Sequence, residues 1–267
     1  MCYIFPMFVF LKLGGSLITD KTQPYTPRLE RLDDLAAQIA VARRELPGLR
    51  LLVGHGSGSF GHQAAVQFGT RRGVSSPTEW HGFAEVWYQA STLNRIVLEA
   101  LRRAGLPAVT LSPFASVRAE DGRVRQWDPG ALQECLDRGL LPVIHGDVIL
   151  DSARGGTILS TEDLFAHLAP LLRPQRILLA GLEEGVWQDF PARTRLIPVL
   201  SAANLPPSFG EAQGADVTGG MRAKVSQVLA LVEQVPGLEG LIFSGEQPGN
   251  LRRALSGENP GTRLMLR

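Results

Sequence analysis

Short apolar segments rich in Val, Ile and Leu recur along the chain, and longer segments with helical spacing separate them. Continuous apolar runs of this kind are typical of parallel strands whose sheet is covered on both faces. The pattern therefore predicts an α/β fold with an open, mostly parallel sheet and helices on both faces. The predicted strands are 7–13, 50–54, 106–111, 141–145, 176–180 and 240–244.

Two of the intervening segments carry a clear helical period. Apolar residues recur at three- and four-residue steps from Leu29 to Leu46, before Pro47-Gly48, which predicts a helix between the first two strands. The spacing of apolar residues over 79–104 predicts a long helix or helix pair, which ends at Gly105. Its aromatic residues, among them Phe83 and Trp87, are either ordinary core residues or the lining of an apolar substrate pocket.

Turn signals predict two β-hairpins, over 115–126 and 147–158, that are added to the main sheet. Segment 187–215 is Pro-rich and irregular, and a β-α-β-like segment follows it. We expect a lobe boundary near Leu172-Arg173-Pro174, which divides one continuous domain into residues 1–172 and 173–267.

Composition narrows the function classes. The 27 basic and 26 acidic residues nearly cancel, so nucleic acid or an acidic surface is not an expected partner. The two cysteines lie far apart without metal-ligand spacing, which fits a reducing cytoplasm. The apolar start contains Pro6 and meets Lys12 too early for a membrane span, so we interpret it as a buried strand, for which Met7 is an equally good initiator.

The first candidate site is the loop Lys12-Leu13-Gly14-Gly15-Ser16, which directly follows the first strand, with Lys21 a few residues on. Consecutive glycines let backbone N–H groups converge on an anion such as a phosphate. A lysine at the end of an apolar parallel strand faces the crevice where α/β sheets bind ligands. Because a buried ammonium without a partner is costly, we expect an anion or a carboxylate beside Lys12.

The second candidate loop follows the second strand and reads Gly54-His55-Gly56-Ser57-Gly58-Ser59-Phe60-Gly61-His62. It contains the G-x-G-x-x-G pattern of dinucleotide-binding oxidoreductases. However, no acidic residue ends a strand about twenty residues later, where such enzymes bind ribose. In a glycine loop at a helix start, His62 is either a structural hydrogen-bonding residue or a contact to a substrate phosphate.

The third candidate loop, Asp216-Val217-Thr218-Gly219-Gly220, opens a helix whose first turn carries Lys224. A threonine that can cap the helix, glycines that expose backbone N–H groups and a lysine in the first turn together form a site suited to the phosphates of a nucleotide. The chain lacks the P-loop string and the protein-kinase motifs. Asp147, after the apolar strand 141–145, is either a turn cap or the carboxylate that pairs with Lys12. Glycine loops and lysines without an obvious nucleophile favour phosphoryl transfer.

In this order, the motifs resemble those of the amino-acid-kinase superfamily and, within it, of the isopentenyl phosphate kinase branch. The matching strings are LKLGGSLITDK, GHGSGSFGH, LPVIHGDV and DVTGGMRAK, which span nearly the whole chain. GSFGH and ITDK point to the isopentenyl phosphate branch. The resemblance implies ATP-dependent phosphorylation of isopentenyl phosphate in isoprenoid precursor synthesis by the mevalonate pathway, with Mg²⁺ supplied with the nucleotide, and a homodimer.

The resemblance also implies residue roles. Lys12 and Lys21 would act on the transferred phosphoryl group, and Asp147 would orient Lys12. Residues implied in ATP binding are Lys12, Gly14, Gly15, Ser16, Gly58, Gly220 and Lys224. Acceptor-side residues are Ser57, His62 and Thr161. The aromatic content of the predicted long helix, apart from the resemblance, makes Phe83 and Trp87 candidates to line a slot for an apolar tail. No residue is expected to hold a metal ion by itself.

The chain departs from the family pattern in two places. Thr161, in Ser160-Thr161-Glu162-Asp163, stands where the family has a glycine beside the acceptor, and Gly181-Leu182-Glu183-Glu184-Gly185 replaces a Thr-Asp-x-Asp-Gly string. Three other functions stay open: a kinase of this fold for another small phosphate or phosphonate such as fosfomycin, a non-catalytic nucleotide-binding regulator, and a dehydrogenase.

Overall fold

The computed structural model describes residues 7–205 and 220–267, apart from the side chains of residues 62–64. The strands are β1 (Phe8–Leu13), β2 (Arg50–His55), β3 (Ala108–Thr110), β4 (Arg118–Glu120), β5 (Arg123–Gln126), β6 (Leu141–His145), β7 (Asp147–Asp151), β8 (Gly155–Leu159), β9 (Arg176–Gly181), β10 (Val186–Trp187), β11 (Leu196–Ile197), β12 (Val199–Leu200), β13 (Glu239–Ser244) and β14 (Gly261–Leu264). The α-helices are α1 (Gly15–Ile18), α2 (Leu29–Glu45), α3 (Gly58–Phe68), α4 (Pro77–Arg103), α5 (Pro113–Ser116), α6 (Gly130–Asp137), α7 (Thr161–Leu172), α8 (Gly220–Gln234) and α9 (Asn250–Leu255).

An eight-stranded sheet forms the centre of the described structure, in the order β12-β14-β13-β9-β1-β2-β6-β3. Its pairs are parallel except for β13 with β14, which are antiparallel. The predicted open, mostly parallel sheet is therefore confirmed. The six strands predicted from the sequence are β1, β2, β3, β6, β9 and β13, and their observed bounds differ from the predicted ones by at most two residues at either end.

Apolar residues of the central strands alternate between two cores. Phe8 and Phe10 of β1 belong to the core that α6, α7 and α8 cover. Val9 and Leu11 belong to the opposite core, which α2, α4 and α9 cover. Successive strand residues point to opposite faces, so Lys12 follows Phe8 and Phe10 toward the face of α7.

The two predicted hairpins are present, but their predicted attachment to the main sheet is wrong. β4 and β5 pair antiparallel, as do β7 and β8. The two hairpins join each other through Ala119 and Asp151, which makes a separate four-stranded sheet in the order β5-β4-β7-β8. Buried Asp151 stabilises this junction because its carboxylate accepts hydrogen bonds from the backbone of Asp121 and Gly122.

Both predicted helices form over nearly the predicted ranges. Helix α4 is one continuous helix, and a capping box between Ser76 and Glu79 fixes its start. Its end is followed by Gly105, whose φ of +78° is the left-handed conformation that glycine adopts at little cost. Across residues 7–205 and 220–267, none of the helices combines the length and the apolar character that crossing a membrane requires.

Candidate active site

A cavity of about 330 Å³ opens where β1, β2 and β9 end, at the carboxyl edge of the sheet. Parallel α/β sheets bind ligands at this edge because several loops converge there. The whole chain contains only three lysines among its 27 basic residues. All three of them, Lys12, Lys21 and Lys224, line this cavity. The cavity, called the lysine cleft below, is therefore suited to a polyanion.

Lys12 makes an ion pair with Glu162 from the first turn of α7. Both side chains are 12% exposed, so the pair is largely withdrawn from water. The glutamate is placed by the helix start, where Ser160 accepts a hydrogen bond from the backbone N–H of Asp163. A carboxylate in the first helical turn is also stabilised by the helix dipole. The expectation that a carboxylate lies beside Lys12 is confirmed.

Glu162 is held in its charged form despite its burial. Burial by itself raises the pKa of Glu162, but the ammonium of Lys12, with a smaller contribution from Lys224, lowers it below its ordinary value of 4.5. The carboxylate thus lies among two of the three lysines of the lysine cleft. Its negative charge offsets the repulsion between the two ammonium groups.

The predicted pairing of Asp147 with Lys12 is wrong, because Lys12 pairs with Glu162 instead. Asp147 is 1% exposed, and its carboxylate accepts hydrogen bonds from the backbone N–H groups of Phe114 and Val148. Burial raises the pKa of Asp147 to about 7. Its oxygen Oδ2 lies 3.5 Å from Nε2 of His145, a buried histidine whose pKa burial lowers to about 3. Asp147 therefore belongs to a buried polar cluster, not to the cleft wall.

The first two glycine loops touch each other through their backbones. A Cβ atom on Gly15 would lie 2.5 Å from the backbone N of Gly58, and one on Gly56 would lie 2.9 Å from the N of Gly15. Gly58 also has a φ of +50°, and a Cβ there would meet Oγ1 of Thr19 at 2.1 Å. No larger side chain fits at these positions without a backbone shift. The glycines are thus required for the contact between the loops as well as for access to an anion.

The segment that carries Lys21 is fastened to both loops. Thr19 donates a hydrogen bond from Oγ1 to the carbonyl oxygen of Gly15 (2.8 Å) and accepts one from the backbone N–H of Ser59 (2.9 Å). Ser59 in turn accepts a hydrogen bond from the N–H of Thr26 through Oγ (3.3 Å). Lys21 itself is exposed at the cleft edge. Its backbone is therefore fixed while its ammonium stays accessible to a ligand.

The predicted acceptor-side residues fall into different surroundings. Ser57 lines the lysine cleft together with Gly58. Thr161 is 1% exposed, and its hydroxyl donates a hydrogen bond to the carbonyl oxygen of His55 (2.6 Å), so its side chain is committed to β2. His62 lies in helix α3, but its side chain lies outside the described part of the structure.

Phe83 and Trp87 of α4 lie in a small aromatic cluster apart from the residues that line the lysine cleft. Phe83 is buried in a core with Val74, Val86 and Val148. Its ring contacts Phe114 edge-on at 6.0 Å, and Trp87 lies 6.2 Å from Phe114. Trp87 is 39% exposed. The structure therefore places Phe83 in the core, and the role of both residues toward a substrate tail stays a prediction.

The nucleotide-side predictions are only partly within the described structure. Gly14, Gly15, Ser16 and Gly58 line the lysine cleft. Residues 216–219 of the third glycine loop lie outside the described residues, whereas Gly220 begins α8 with a φ of +65°. Lys224 lies one turn further along this helix. The first turn of α8 therefore reaches the cleft, as predicted for residues at a helix start.

Sequence reasoning missed two groups of residues in the lysine cleft. Glu162 could have been found from the Ser-x-x-Asp capping box, which places the intervening glutamate in the first turn of a helix. The second group comprises Trp187 and Phe190, which lie shortly after the segment Gly181–Gly185 where the chain departs from the family pattern. The residues around Trp187 and Phe190 carry no periodic pattern, so periodicity did not indicate that they line the cleft.

Comparison with known proteins agrees with this geometry. The family model described as the amino acid kinase family matches residues 7–244. An isopentenyl phosphate kinase of Methanothermobacter thermautotrophicus is 34% identical, and the alignment covers 96% of this chain and 98% of that protein. One of Haloferax volcanii is 37% identical over 95% and 97% of the two chains.

A solved structure described as that of isopentenyl phosphate kinase is also similar. It superposes with a TM-score of 0.82 at 30% identity, and the match covers 97% of this chain and all of the other. The likeness therefore extends over nearly the whole chain.

We expect Lys12→Met to change how stability depends on pH. In the wild type, the lowered pKa of Glu162 contributes stability that is present above pH 4.5 and is lost as the pH falls. Without Lys12, burial dominates and raises that pKa, so the variant instead loses stability as the pH rises above 4.5. Urea unfolding should show a destabilisation of about 3 kcal/mol at pH 7 that shrinks toward pH 4.

The double variant Lys12→Met/Glu162→Gln is the matched control, because its glutamine has no charge to bury. At pH 7 its destabilisation should be smaller than that of the single variant, and its own free energy of unfolding should lack the pH dependence that Glu162 contributes in the wild type and in the single variant. A single variant whose destabilisation is the same at pH 4 and pH 7 would contradict the assigned ion pair.

We expect Gly58→Ala to destabilise the fold more than Gly139→Ala. Both glycines have positive φ, +50° and +75°, so both substitutions carry a backbone cost of about 1 kcal/mol. A Cβ on Gly139 has no atom within 4 Å, whereas one on Gly58 meets Thr19. The difference between the two free energies of unfolding, measured with urea, gives the cost of separating the loops. Equal destabilisation of the two variants would contradict the close contact between Gly58 and its neighbours.

Proposed function

The chain belongs to the amino acid kinase family, and from that premise we propose that it transfers the terminal phosphoryl group of ATP to isopentenyl phosphate. The product would be isopentenyl diphosphate. The full-length similarity to isopentenyl phosphate kinases supports this acceptor. The observation that carries the proposal is that every lysine of the chain lines a single cleft.

Transfer between two phosphates requires the enzyme to overcome the repulsion between two anions. An oxygen of the acceptor phosphate attacks the γ-phosphorus, a new P–O bond forms, and the bond to the β,γ-bridging oxygen breaks so that ADP leaves. The acceptor oxygen is already ionised, so the step needs no general base. Charge stabilisation by the lysines and the loop N–H groups then provides the catalysis.

Lys12 is the residue best placed to act on the transferred group. It extends from the end of β1 at the centre of the sheet, and Glu162 fixes its ammonium. Lys21 has a firmly held backbone and an accessible ammonium, which suits charge that develops during transfer. We therefore keep both as catalytic residues and assign to Glu162 the orienting role that the sequence suggested for Asp147.

Magnesium would enter this reaction as part of the nucleotide. Across residues 7–205 and 220–267, no group of three His, Cys, Asp or Glu side chains is arranged to hold a metal ion. The carboxylates that line the cleft, Glu162 and Glu183, are each paired with a cation. These donors do not fit a resident Mg²⁺, and the ion would instead be carried by the ATP phosphates.

We propose that residues 1–172 bind the acceptor and residues 173–267 bind most of the nucleotide. The lysine cleft lies where β1 meets β9, which is the junction of these two parts in the sheet.

We further propose a cytoplasmic homodimer. Exposed aromatic residues on α4, Trp87 (39%) and Tyr88 (59%), support an interface there. Light scattering after size-exclusion chromatography measures the mass of the particle in solution, which should be that of two chains.

A coupled ADP-release assay with MgATP tests the acceptor. The panel comprises isopentenyl phosphate, dimethylallyl phosphate, fosfomycin, acetylglutamate, aspartate and UMP. Turnover concentrated on isopentenyl phosphate is the expected result. Turnover on another panel member alone would keep the phosphoryl-transfer chemistry and overturn the acceptor. A protein that binds MgATP without turnover on any of them would be a regulator instead.

We expect Lys21→Ala to lower kcat by about 10²-fold to 10³-fold, because removal of one donor to the transition-state charge typically has this effect. Lys21 is exposed, so thermal stability should stay unchanged. Gln23→Ala, an exposed neighbour that does not line the cleft, is the matched control and should keep wild-type kcat. A Lys21→Ala enzyme with near-wild-type kcat would exclude Lys21 from catalysis.

We expect a different kinetic effect for His62→Ala. If His62 binds the acceptor phosphate, the KM for isopentenyl phosphate rises while the KM for ATP stays unchanged. Steady-state kinetics with each substrate varied in turn separates the two constants. A rise in the KM for ATP alone would assign His62 to the nucleotide side.

A further inference from the structure

The first residue of α7, Thr161, is buried next to the ion pair of the lysine cleft. Glu162, which follows it in the chain, lines the cleft and pairs with Lys12. Thr161 is only 1% exposed, and its side chain packs against the sheet. The chain departs from the family pattern at this residue, where the family has a glycine. The contacts of Thr161 are therefore ones that a glycine at this position could not make.

The methyl group of Thr161 fills a gap beside Lys12 in the sheet. Gly54 of β2 is the register partner of Lys12 in β1, so both residues face α7. A Cβ atom on Gly54 would lie 2.4 Å from Cγ2 of Thr161 and 2.8 Å from Cζ of Phe165. The threonine methyl thus occupies the space that a side chain on Gly54 would need. This packing sets how closely the start of α7 approaches β1 and β2.

The hydroxyl group of Thr161 ties the same helix start to the end of β2. It donates a hydrogen bond to the carbonyl oxygen of His55 at 2.6 Å, and that oxygen also accepts one from the N–H of Gly146 at 3.2 Å. His55 is itself firmly held, because Nε2 of its buried ring lies 3.2 Å from Oδ1 of Asn94 in α4 and the ring stacks on His145. The start of α7 is thus bonded to a residue that other elements keep in place.

We propose that Thr161 is a positioning residue, which holds Glu162 against Lys12 by fixing the start of α7 to the end of β2. This inference rests on the proposed kinase function, in which the ammonium of Lys12 acts on the transferred phosphoryl group. Because Glu162 is the next residue in the chain, a shift of the helix start also moves its carboxylate. Both charges are largely withdrawn from water, so their attraction weakens noticeably when they separate.

Thr161→Val tests the hydrogen bond, since valine has nearly the same size as threonine but no hydroxyl group. Burial raises the pKa of Glu162, and the ammonium groups of Lys12 and Lys224 lower it below 4.5. Separation of the ion pair would raise this pKa and remove stability that the wild type has above pH 4.5. Urea unfolding of the variant should therefore show a larger loss in midpoint at pH 7 than at pH 4.

Two further variants serve as controls. Thr161→Ser keeps the hydroxyl group and should restore most of the pH-dependent loss. Thr157→Val removes a comparable hydrogen bond elsewhere, since Thr157 is 1% exposed and donates to the carbonyl oxygen of Arg71 at 3.2 Å. It should lower the urea midpoint by the same amount at both pH values.

Turnover provides a second readout. We expect Thr161→Val to lower kcat about threefold to tenfold, the effect of one neutral hydrogen bond, with little change in either KM. In a Glu162→Ala background, Thr161→Val should have no further effect on kcat, because Thr161 acts through the carboxylate. Thr157→Val should keep the wild-type kcat.

Three results would overturn the proposal. These are equal midpoint losses at pH 4 and pH 7 in Thr161→Val, no recovery in Thr161→Ser, and a kcat loss that persists undiminished in the Glu162→Ala background. The urea measurements need no substrate, and kcat is measured with whichever member of the acceptor panel is turned over. The positioning role and the proposed acceptor therefore fail separately.

Discussion

The structure around the cleft depends on the charged ammonium of Lys12, which projects from a strand that is otherwise buried on both faces. Such a charge is tolerated only with a partner of opposite sign. Glu162 supplies it from the start of α7, where the helix dipole and the capping box hold the carboxylate in place. Three constraints therefore meet at one point: the end of β1, the start of α7, and the glycine loops that leave the ammonium open to the cleft.

The use of lysine in this protein is selective. The chain has three lysines and twenty-four arginines, and away from the cleft many ion pairs in the described part of the chain are made by arginine, as by Arg252 with Glu45 and by Arg263 with Glu239. An ammonium is a compact charge that rotates its donors, whereas a guanidinium is a wide planar fork. Where the backbones of Gly15 and Gly58 already touch, the space favours the smaller group.

The order and type of the main elements follow from local patterns. The central strands are apolar because both faces of the sheet are covered. Apolar residues recur every three or four positions in the helices because one side of each helix faces a core. The two hairpins show the limit of such reasoning. Their turns are local features and were predicted. The pairing of the two hairpins with each other was not predicted, because the contact between Ala119 and Asp151 joins segments that are distant in the sequence.

By itself the sequence determined the order of the strands along the chain and the positions of the glycine loops and of the lysines, because glycine and lysine at the end of a parallel strand have the same physical meaning in any such fold. It did not determine which carboxylate meets Lys12. Alternation along β1 directs Lys12 to the face covered by α7, so Glu162 pairs with it, while Asp147 turns into a buried cluster beside α5. The positions of Trp187 and Phe190 in the wall of the lysine cleft also depend on tertiary structure. Their segment has no periodic pattern, and it is held by the hydrogen bond from Trp187 to Glu183 and by the contacts of Arg193 with Glu183 and Phe190. Such pairings are chosen by packing between distant parts of the chain, and only the folded structure decides them.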